Sequence, residues 1–202
     1  MTFLDQKDIE KEYLKKKMLW GSKPNKLVVK IADMLQTGSV LDLGAGEGRN
    51  ALYLAKRGFK VTGVDISKNA INKLSNFSKI ANLNIKILNK DISKLDFNNK
   101  FDLILCIATI QFLDRKKISL LIKKMKLSTK DNGINILTGF TNKDRGFKKH
   151  PELYFLKSNE LKKYYLDFDI LQYEEYSIQD NHGKPHQHHM ACIVAKKCQG
   201  AQ

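Results

Sequence analysis

A glycine-rich turn and a later aspartate have the residue types and the spacing of a nucleoside-binding site. An apolar segment, residues 39–43, runs into the glycine-rich sequence of Gly44 to Gly48, and an amphipathic segment follows. Glycine adopts backbone conformations that other residues avoid and lets a ligand approach closely, while exposed amides at a helix start favour an anionic group. About 20 residues after the first glycine, an apolar run ends in Asp65, a carboxylate suited to both hydroxyls of a ribose. The pattern predicts recognition of a nucleoside-containing ligand.

The spacing within the turn separates the common nucleoside ligands. A dinucleotide fingerprint, G-x-G-x-x-G, requires a third glycine where this chain has Arg49. A P-loop requires Gly-Lys-Ser or Gly-Lys-Thr, which the sequence Gly48-Arg49-Asn50 does not supply. NAD and nucleoside triphosphates are therefore disfavoured. The turn is instead preceded by an acidic residue, Asp42, two positions before the first glycine.

An acidic residue followed by G-x-G-x-G resembles the signature of the class I S-adenosylmethionine-dependent methyltransferases. The resemblance covers almost the whole chain and implies an α/β, Rossmann-like fold with a seven-stranded sheet of order 3-2-1-4-5-7-6, the last strand antiparallel, and helices on both faces. It implies S-adenosyl-L-methionine as the cofactor. It places Asp65 on the ribose, Ile66 and Asp91-Ile92 around the adenine, and Arg49 near the carboxylate. The implied cofactor-binding residues are Asp42, Gly44, Ala45, Gly46, Gly48, Arg49, Asp65, Ile66, Asp91, Ile92, Cys106 and Ile107.

Three further segments resemble one subgroup, the TehB-type tellurite-resistance methyltransferases and their thiopurine S-methyltransferase-like relatives. They are WGSKPNKLV from residue 20, GRNALYLAKRGFKVTGVDIS over 48–67, and LYFLKSNELKKYY over 153–165 with a histidine-containing hairpin after it. The resemblance implies in-line methylation of a small, soft nucleophile, either a chalcogen oxyanion or a thiol. Histidines stand at 186, 188 and 189, where some TehB proteins have arginine-containing positions, so the resemblance does not by itself fix tellurite as the acceptor.

Candidate acceptor-binding residues come from four places in the chain. The resemblance implies that Trp20 belongs to an N-terminal helical flap, about residues 1–36, and that Gln111 after the fourth strand faces the acceptor. Arg145 lies in a polar insert with Lys148, Lys149 and His150, where cations are able to hold an anionic acceptor. No catalytic residue is assigned, because a thiolate or chalcogen oxyanion is already nucleophilic.

The histidines near the C-terminus have three interpretations. Alternation along a strand places His186 and His188 on one face. Substrate contact and a solvated turn are the favoured interpretations, and metal ligation together with His182 is the third. We therefore assign His186 and His188 to the acceptor site and assign no metal. The buried-hydrophobe interpretation of Cys106 and a core position for Trp20 likewise stay open beside the functional ones.

A parallel sheet is needed to position these residues, and the hydrophobic pattern predicts one. Short runs rich in Val, Ile and Leu alternate with segments of helical spacing. Ser67 is expected to cap a helix, Gly58 to end one, and Asn132-Gly133 to form a turn. The predicted strands are 39–43, 60–65, 84–89, 101–106, 133–139, 168–178 and 189–196, the last two forming an antiparallel hairpin. The predicted helices are 5–18, 24–36, 49–57, 67–79, 114–126 and 157–165.

Length and composition indicate how many domains the chain has and whether it is disordered, membrane-spanning or secreted. The chain of 202 residues is 42% hydrophobic, so we expect one domain over 1–202, without pervasive disorder. No apolar run is long enough for a transmembrane helix, and the N-terminus does not read as a secretory signal, so a cytoplasmic location with reduced cysteines is expected.

The formal charge of +15 makes nucleic acid a candidate partner, because cationic side chains release counterions from phosphate. Lysines on solvated helix faces are the favoured explanation, and the Asn-Pro-Pro-Tyr or Asp-Pro-Pro-Tyr box of amino-methylating nucleic-acid enzymes is absent after the fourth strand. Methylation of RNA or another macromolecule remains the alternative within enzymes. A non-catalytic S-adenosylmethionine-binding module is the alternative outside them. The oligomeric state is not predicted.

Overall fold

The computed structural model describes residues 6–15, 18–97, 99–180 and 185–200. Within these residues, seven strands form one sheet of order β3-β2-β1-β4-β5-β7-β6. The strands are β1 Ser39–Leu43, β2 Lys60–Asp65, β3 Ile85–Asn89, β4 Phe101–Ile107, β5 Thr129–Phe140, β6 Phe168–Asp180 and β7 His186–Lys197. Strand β7 pairs antiparallel with β5 and β6, while the pairs among β1 to β5 are parallel. The predicted order, the antiparallel last strand and the final hairpin are confirmed.

The described α-helices are α1 Gln6–Glu12, α2 Lys26–Leu35, α3 Arg49–Lys56, α4 Lys68–Ile80, α5 Arg115–Leu127 and α6 Glu160–Tyr164. Three of them, α2, α4 and α5, begin where a side chain accepts a hydrogen bond from a free backbone amide. Ser67 caps α4 by accepting a hydrogen bond from the Ala70 amide, as predicted. Gly58 follows α3 with φ 88°, the left-handed conformation that glycine adopts at helix ends. Local sequence thus fixes the end of α3 and the start of α4, on either side of β2.

The structure differs from the predicted elements at several positions. Strand β5 begins at Thr129 rather than at 133, and β7 begins at His186 rather than at 189. The turn predicted at Asn132-Gly133 is wrong, because β5 runs through it with a shift in register against β4. A Cβ on Gly133 would lie 2.8 Å from the carbonyl oxygen of Lys130, so this irregularity requires glycine. Helix α6 begins only at Glu160 because Asn159 adopts φ 59°. Helix α1 ends at Glu12, short of the predicted end, and part of the predicted range 5–18 lies outside the described residues.

The core lies on both faces of the central strands. Leu41 and Ile104 point into a cluster that includes residues of α5, whereas Val40, Leu103 and Leu105 point into a cluster that includes residues of α2 and α3. Strands buried on both faces need apolar residues at successive positions, which explains the near-continuous apolar runs of β1 and β4. Helices on both faces leave the carboxyl edge of the sheet open for a ligand. None of the described helices is both long enough and apolar enough for a bilayer crossing.

Candidate cofactor and acceptor site

A cavity of about 810 Å³ opens where β1, β2 and β4 end. Its wall includes Gly44, Ala45, Gly46, Gly48 and Arg49 from the turn after β1. A volume of this size is typical of a small-molecule site, for which pockets of roughly 300–1,000 Å³ are usual. The structure therefore brings the glycine turn to the wall of a cavity of cofactor size.

The glycine turn is closely packed against side chains that also line the cavity. Gly44 and Gly46 have φ 75° and 56°, which side-chain-bearing residues rarely adopt. A Cβ on Gly44 would lie 2.2 Å from Oγ1 of Thr109, and one on Gly46 would lie 3.1 Å from the Tyr13 hydroxyl. Glycine is thus required at Gly44 both by its backbone conformation and by the side chain packed against it.

Asp65 ends β2 and lies against the turn. Its Oδ2 accepts a hydrogen bond from the Gly46 amide at 2.8 Å, and its Oδ1 accepts one from the Ser67 amide at 2.9 Å. Burial raises the pKa of this carboxyl above its usual range, although the two amides oppose the shift. Ile66, next in the chain, also lines the cavity and is half exposed. The residues predicted for ribose and adenine are therefore adjacent on one wall.

Asp91 and Ile92 line the same wall after β3. Oδ1 of Asp91 accepts hydrogen bonds from the Ser93 amide at 2.9 Å and from the Ser93 hydroxyl at 2.7 Å. Burial opposes ionisation of Asp91, but these hydrogen bonds outweigh it and lower its pKa. Ile92 is buried. The carboxylate of Asp91 suits the hydrogen-bond donors at the polar edge of an aromatic base, and the apolar side chain of Ile92 suits its face.

Asp42 lies behind the turn and is not among the cavity-lining residues. It is 2% exposed, and its Oδ2 has no hydrogen-bond partner among the described residues. Burial, and next the charge of Asp65, raise the pKa of Asp42 to about 7, while Arg49 opposes the shift. A carboxyl so poised changes charge near neutrality and adds negative potential beneath the turn.

The end of β4 divides the predicted residues between the core and the cavity. Cys106 is fully buried in the core cluster, and burial raises the pKa of its thiol, so it remains a neutral thiol. Ile107 and Gln111 line the cavity. Gln111 is 2% exposed, its Nε2 donates to the carbonyl of Ala108 at 2.7 Å, and its Oε1 has no hydrogen-bond partner within the described chain. Gln111 therefore presents a buried acceptor at the cavity.

The segment before α2 covers one side of the cavity. Trp20 lines it and donates from Nε1 to the Tyr13 hydroxyl at 3.2 Å. Arg49 donates from Nη1 to the carbonyl of Trp20 at 3.1 Å. Tyr13 lines the cavity as well, although sequence reasoning missed it, because only the fold brings α1 over the glycine turn. The described part of the predicted flap is thus in contact with the turn.

Glu47 of the turn attaches both α4 and this segment, the first through a buried ion pair and the second through a hydrogen bond. Oε1 of Glu47 lies 2.6 Å from Nζ of Lys73 in α4, with the two side chains 2% and 17% exposed. Oε2 of Glu47 accepts from the Leu19 amide at 2.6 Å. Glu47 was not predicted to have a role, because it occupies a variable position of the glycine pattern and its partner lies 26 residues away.

The histidines of β7 meet acidic residues at one end of the cavity. Nε2 of His186 lies 3.0 Å from Nε2 of His188, and Nδ1 of His188 lies 3.0 Å from Oδ2 of Asp144. Asp144 is buried, and hydrogen bonds, first from His188, lower its pKa despite that burial. Asp180, at the end of β6, lines the cavity together with both histidines. His182, proposed above as a further ligand, lies outside the described residues.

The polar insert contributes differently from what its charges predict. Arg145, Lys148 and Lys149 are exposed and are not among the cavity-lining residues. Its buried residues include Asp144, whose carboxylate also accepts from the amide of His189 at 2.8 Å. In this structure the insert therefore reaches the site through an acidic residue that holds His188, rather than through its cations.

Comparison with known proteins gives a consistent assignment. A family model described as tellurite resistance protein TehB matches residues 7–189. A probable S-adenosyl-L-methionine-dependent methyltransferase TehB of Haemophilus influenzae is 35% identical over 148 residues, which are 73% of this chain and 52% of the relative. Hemagglutinin 1 of Eikenella corrodens is 29% identical, over 78% of this chain and 54% of that protein. The chain thus spans about half the length of these curated relatives.

Solved structures support the same assignment. The crystal structure of TehB from Haemophilus influenzae superposes with a TM-score of 0.78 at 29% identity, covering 95% of this chain and 66% of that one. The N-methyltransferase NodS from Bradyrhizobium japonicum, in complex with S-adenosyl-L-homocysteine, gives a TM-score of 0.76 at 13% identity over 96% and 99% of the two chains. At that identity the second similarity concerns the fold alone.

Proposed function

The chain belongs to the TehB family and has the class I methyltransferase fold, and from this premise we propose that it is an S-adenosylmethionine-dependent methyltransferase. The proposed acceptor is a small, soft nucleophile, either a thiol or a chalcogen oxyanion. The observation that carries the proposal is the hydrogen bond between Gly46 and Asp65, which joins the glycine turn to a carboxylate at the wall of a cavity of about 810 Å³.

The residues present fit this cofactor. Gly44 and Gly46 supply a turn without side chains beside the cavity. Asp65 keeps a second lone pair on each oxygen after accepting its two amides, so it is able to accept both ribose hydroxyls. We assign the adenine to Ile66, Asp91 and Ile92. We assign the carboxylate to the turn and to Arg49, whose charge suits it.

The acceptor end of the cavity requires positioning rather than a strong base. When bound, S-adenosyl-L-methionine would supply a methyl group on a positively charged sulfonium, and a nucleophile would attack the methyl carbon in line with S-adenosyl-L-homocysteine as the leaving group. The chain's own part is to align the acceptor and to exclude water, and Trp20 and Gln111 are placed for this. The neutral, buried thiol of Cys106 does not act as a nucleophile. Asp42 and Asp65 add negative potential that favours a cationic ligand.

The direct test is calorimetric titration with S-adenosyl-L-methionine and S-adenosyl-L-homocysteine, followed by an acceptor panel. The panel measures release of S-adenosyl-L-homocysteine with thiols, tellurite, selenite, phenols and RNA. Saturable 1:1 cofactor binding with turnover only on the thiols or the oxyanions supports the proposal. Binding without turnover on any acceptor would favour the non-catalytic module, and failure to bind would remove the proposal altogether.

The charge of the chain favours a second candidate, a macromolecular acceptor such as RNA. A formal charge of +15 provides a basic surface that would release counterions from phosphate. RNA binding whose affinity falls steeply between 50 and 200 mM salt, together with RNA-dependent turnover, would favour this candidate. Turnover on small acceptors without RNA affinity would exclude it.

A further inference from the structure

Asp180, His186 and His188 bring three metal-ligating atoms together at one end of the cavity. The Nε2 atoms of His186 and His188 are 3.0 Å apart. Oδ2 of Asp180 lies 3.9 Å from Nε2 of His186 and 3.6 Å from Nε2 of His188. A point equidistant from three atoms so separated lies about 2.1 Å from each, within the roughly 2.0–2.2 Å of zinc bonds to nitrogen and oxygen. The three atoms therefore already have the spacing of one ion's ligands.

The hairpin makes this spacing a property of the fold. Strands β6 and β7 pair Asp180 directly with His186 and Ile178 with His188. Residues 186 and 188 share one face because side chains alternate along a strand. The ligand set thus stands on two paired strands, which hold side chains more firmly than a loop does.

Asp144 gives the second, independent sign of a metal centre. Its Oδ2 lies 3.0 Å from Nδ1 of His188 and is itself fixed by the amide of His189 at 2.8 Å. A carboxylate that accepts from Nδ1–H leaves the lone pair of the imidazole on Nε2, the atom that faces the other two ligands. This carboxylate–histidine arrangement accompanies most histidine ligands of metal ions and orients the ring.

We propose that Asp180, His186 and His188 bind a divalent transition-metal ion, with Zn²⁺ as the first choice, and that Asp144 is the positioning residue for His188. Two imidazoles and one carboxylate favour zinc or a neighbouring transition metal over Mg²⁺ or Ca²⁺, which prefer oxygen ligands. Among the described residues these are three ligands, which leave a further coordination position free, as in catalytic rather than structural zinc sites. All three ligands line the cavity, so that position is accessible from it.

The site suggests how the acceptor is held, a step that rests on the proposed function. A thiol that binds the ion through sulfur loses its S–H proton to solvent and remains bound as the thiolate, the nucleophilic form. A chalcogen oxyanion binds through oxygen and needs no proton transfer. Through the ion, the two histidines would then contact the acceptor without being its direct ligands.

Metal binding is tested without cofactor or acceptor. Chelator-treated protein, purified without a histidine tag, is titrated with Co²⁺ by absorption and with Zn²⁺ by calorimetry. We expect 1:1 binding, with the d–d absorption of four- or five-coordinate Co²⁺. His186→Ala, at a partly exposed position, and His188→Gln should each weaken Zn²⁺ binding at least about 100-fold, and Asp144→Asn about 10–100-fold. His150→Ala, which changes a histidine paired with Glu152 outside the cluster, should bind Zn²⁺ as the parent does.

The outcomes separate this inference from the proposed function. Thermal unfolding by circular dichroism establishes that each variant is folded before its metal affinity is compared. Zn²⁺ binding that is unchanged in folded His186→Ala and His188→Gln would overturn the metal site, whatever the cofactor result. Loss of Zn²⁺ binding in these variants, with unchanged affinity for S-adenosyl-L-homocysteine, supports a metal site distinct from the cofactor site. Metal binding in a protein with no affinity for the cofactor would leave the metal site standing and remove the proposed function.

Discussion

The backbone amide of Gly46 donates a hydrogen bond of 2.8 Å to Oδ2 of Asp65 and so joins the turn after β1 to the end of β2. Oδ1 of the same carboxylate is fixed by the Ser67 amide at 2.9 Å. Both oxygens therefore have defined directions without a ligand. Binding a ligand then costs less conformational entropy, because the side chain of Asp65 is already ordered before the ligand binds.

Replacing Asp65 with alanine should weaken cofactor binding strongly. The substitution removes the acceptor of both proposed ribose hydrogen bonds, each worth roughly 1.5–3 kcal/mol when one partner is charged. We expect a loss of at least about 3 kcal/mol in the affinity for S-adenosyl-L-homocysteine, measured by calorimetry. The control is Asp33→Ala, at an exposed aspartate on α2 outside the cavity lining. Equal affinity in the two variants would place the ribose elsewhere.

Replacing Gly46 with arginine should abolish cofactor binding in a folded protein. The new side chain would start from a backbone at φ 56° and occupy the cavity beside the turn. Gly58→Arg is a matched control, because Gly58 has φ 88° and a Cβ there would meet no atom of the described residues within 4 Å. Both variants carry the same kind of backbone strain, of order 1–2 kcal/mol. Calorimetric binding that survives in Gly46→Arg would show that the ligand does not approach this turn.

Much of the sheet could be predicted because its signals are local. The bounds of β1 and β2 match the predicted ranges, because a glycine, Gly44, follows the apolar run of β1 and a charged residue, Asp65, ends that of β2. The glycine turn and Asp65 are equally local, because the carboxyl ends of parallel neighbouring strands meet at one edge. The turn predicted at Asn132-Gly133 failed because the same residues serve a bulge inside β5.

The remaining features of the site depend on contacts between distant parts of the chain. Asp144 and His188 are 44 residues apart, and no pattern in the sequence pairs them. The charge of Arg145 predicted a role in the site, but Arg145 is exposed and the adjacent Asp144 is the buried residue. Tyr13 reaches the turn only because α1 lies against α4. Register and packing, rather than residue type, decide these placements.

Removing the charge of Glu47 should destabilise the protein and loosen the cover of the cavity. Breaking a buried ion pair costs about 3–5 kcal/mol, and the partial exposure of Lys73 places the expected loss nearer 2–3 kcal/mol for Glu47→Ala. Urea unfolding measures this difference. Asp33→Asn, which breaks the exposed pair with Arg57, should cost far less, because water screens an exposed ion pair. Similar losses in the two variants would contradict a structural role for the Glu47–Lys73 pair.

The raised pKa of Asp42 predicts how stability changes with pH. In the unfolded chain this carboxyl ionises near its usual value of 3.8, whereas in the folded protein its pKa is about 7. Between these values the folded state holds a proton that the unfolded state has lost. The contribution of Asp42 to the free energy of unfolding therefore falls as the pH rises from about 4 to about 7 and is constant above that.

Asp42→Asn should consequently raise the free energy of unfolding of the ligand-free protein at pH 8, by an amount on the order of 1–4 kcal/mol, and the gain should shrink as the pH approaches 4. The asparagine keeps the shape of the side chain but carries no charge to desolvate. Urea unfolding of both proteins at pH 5, 6, 7 and 8 measures the gain. Asp33→Asn, at an exposed carboxylate, should give no such gain. A destabilised Asp42→Asn at pH 8 would mean that the ionised carboxylate is held by a favourable interaction and that burial does not dominate its energy.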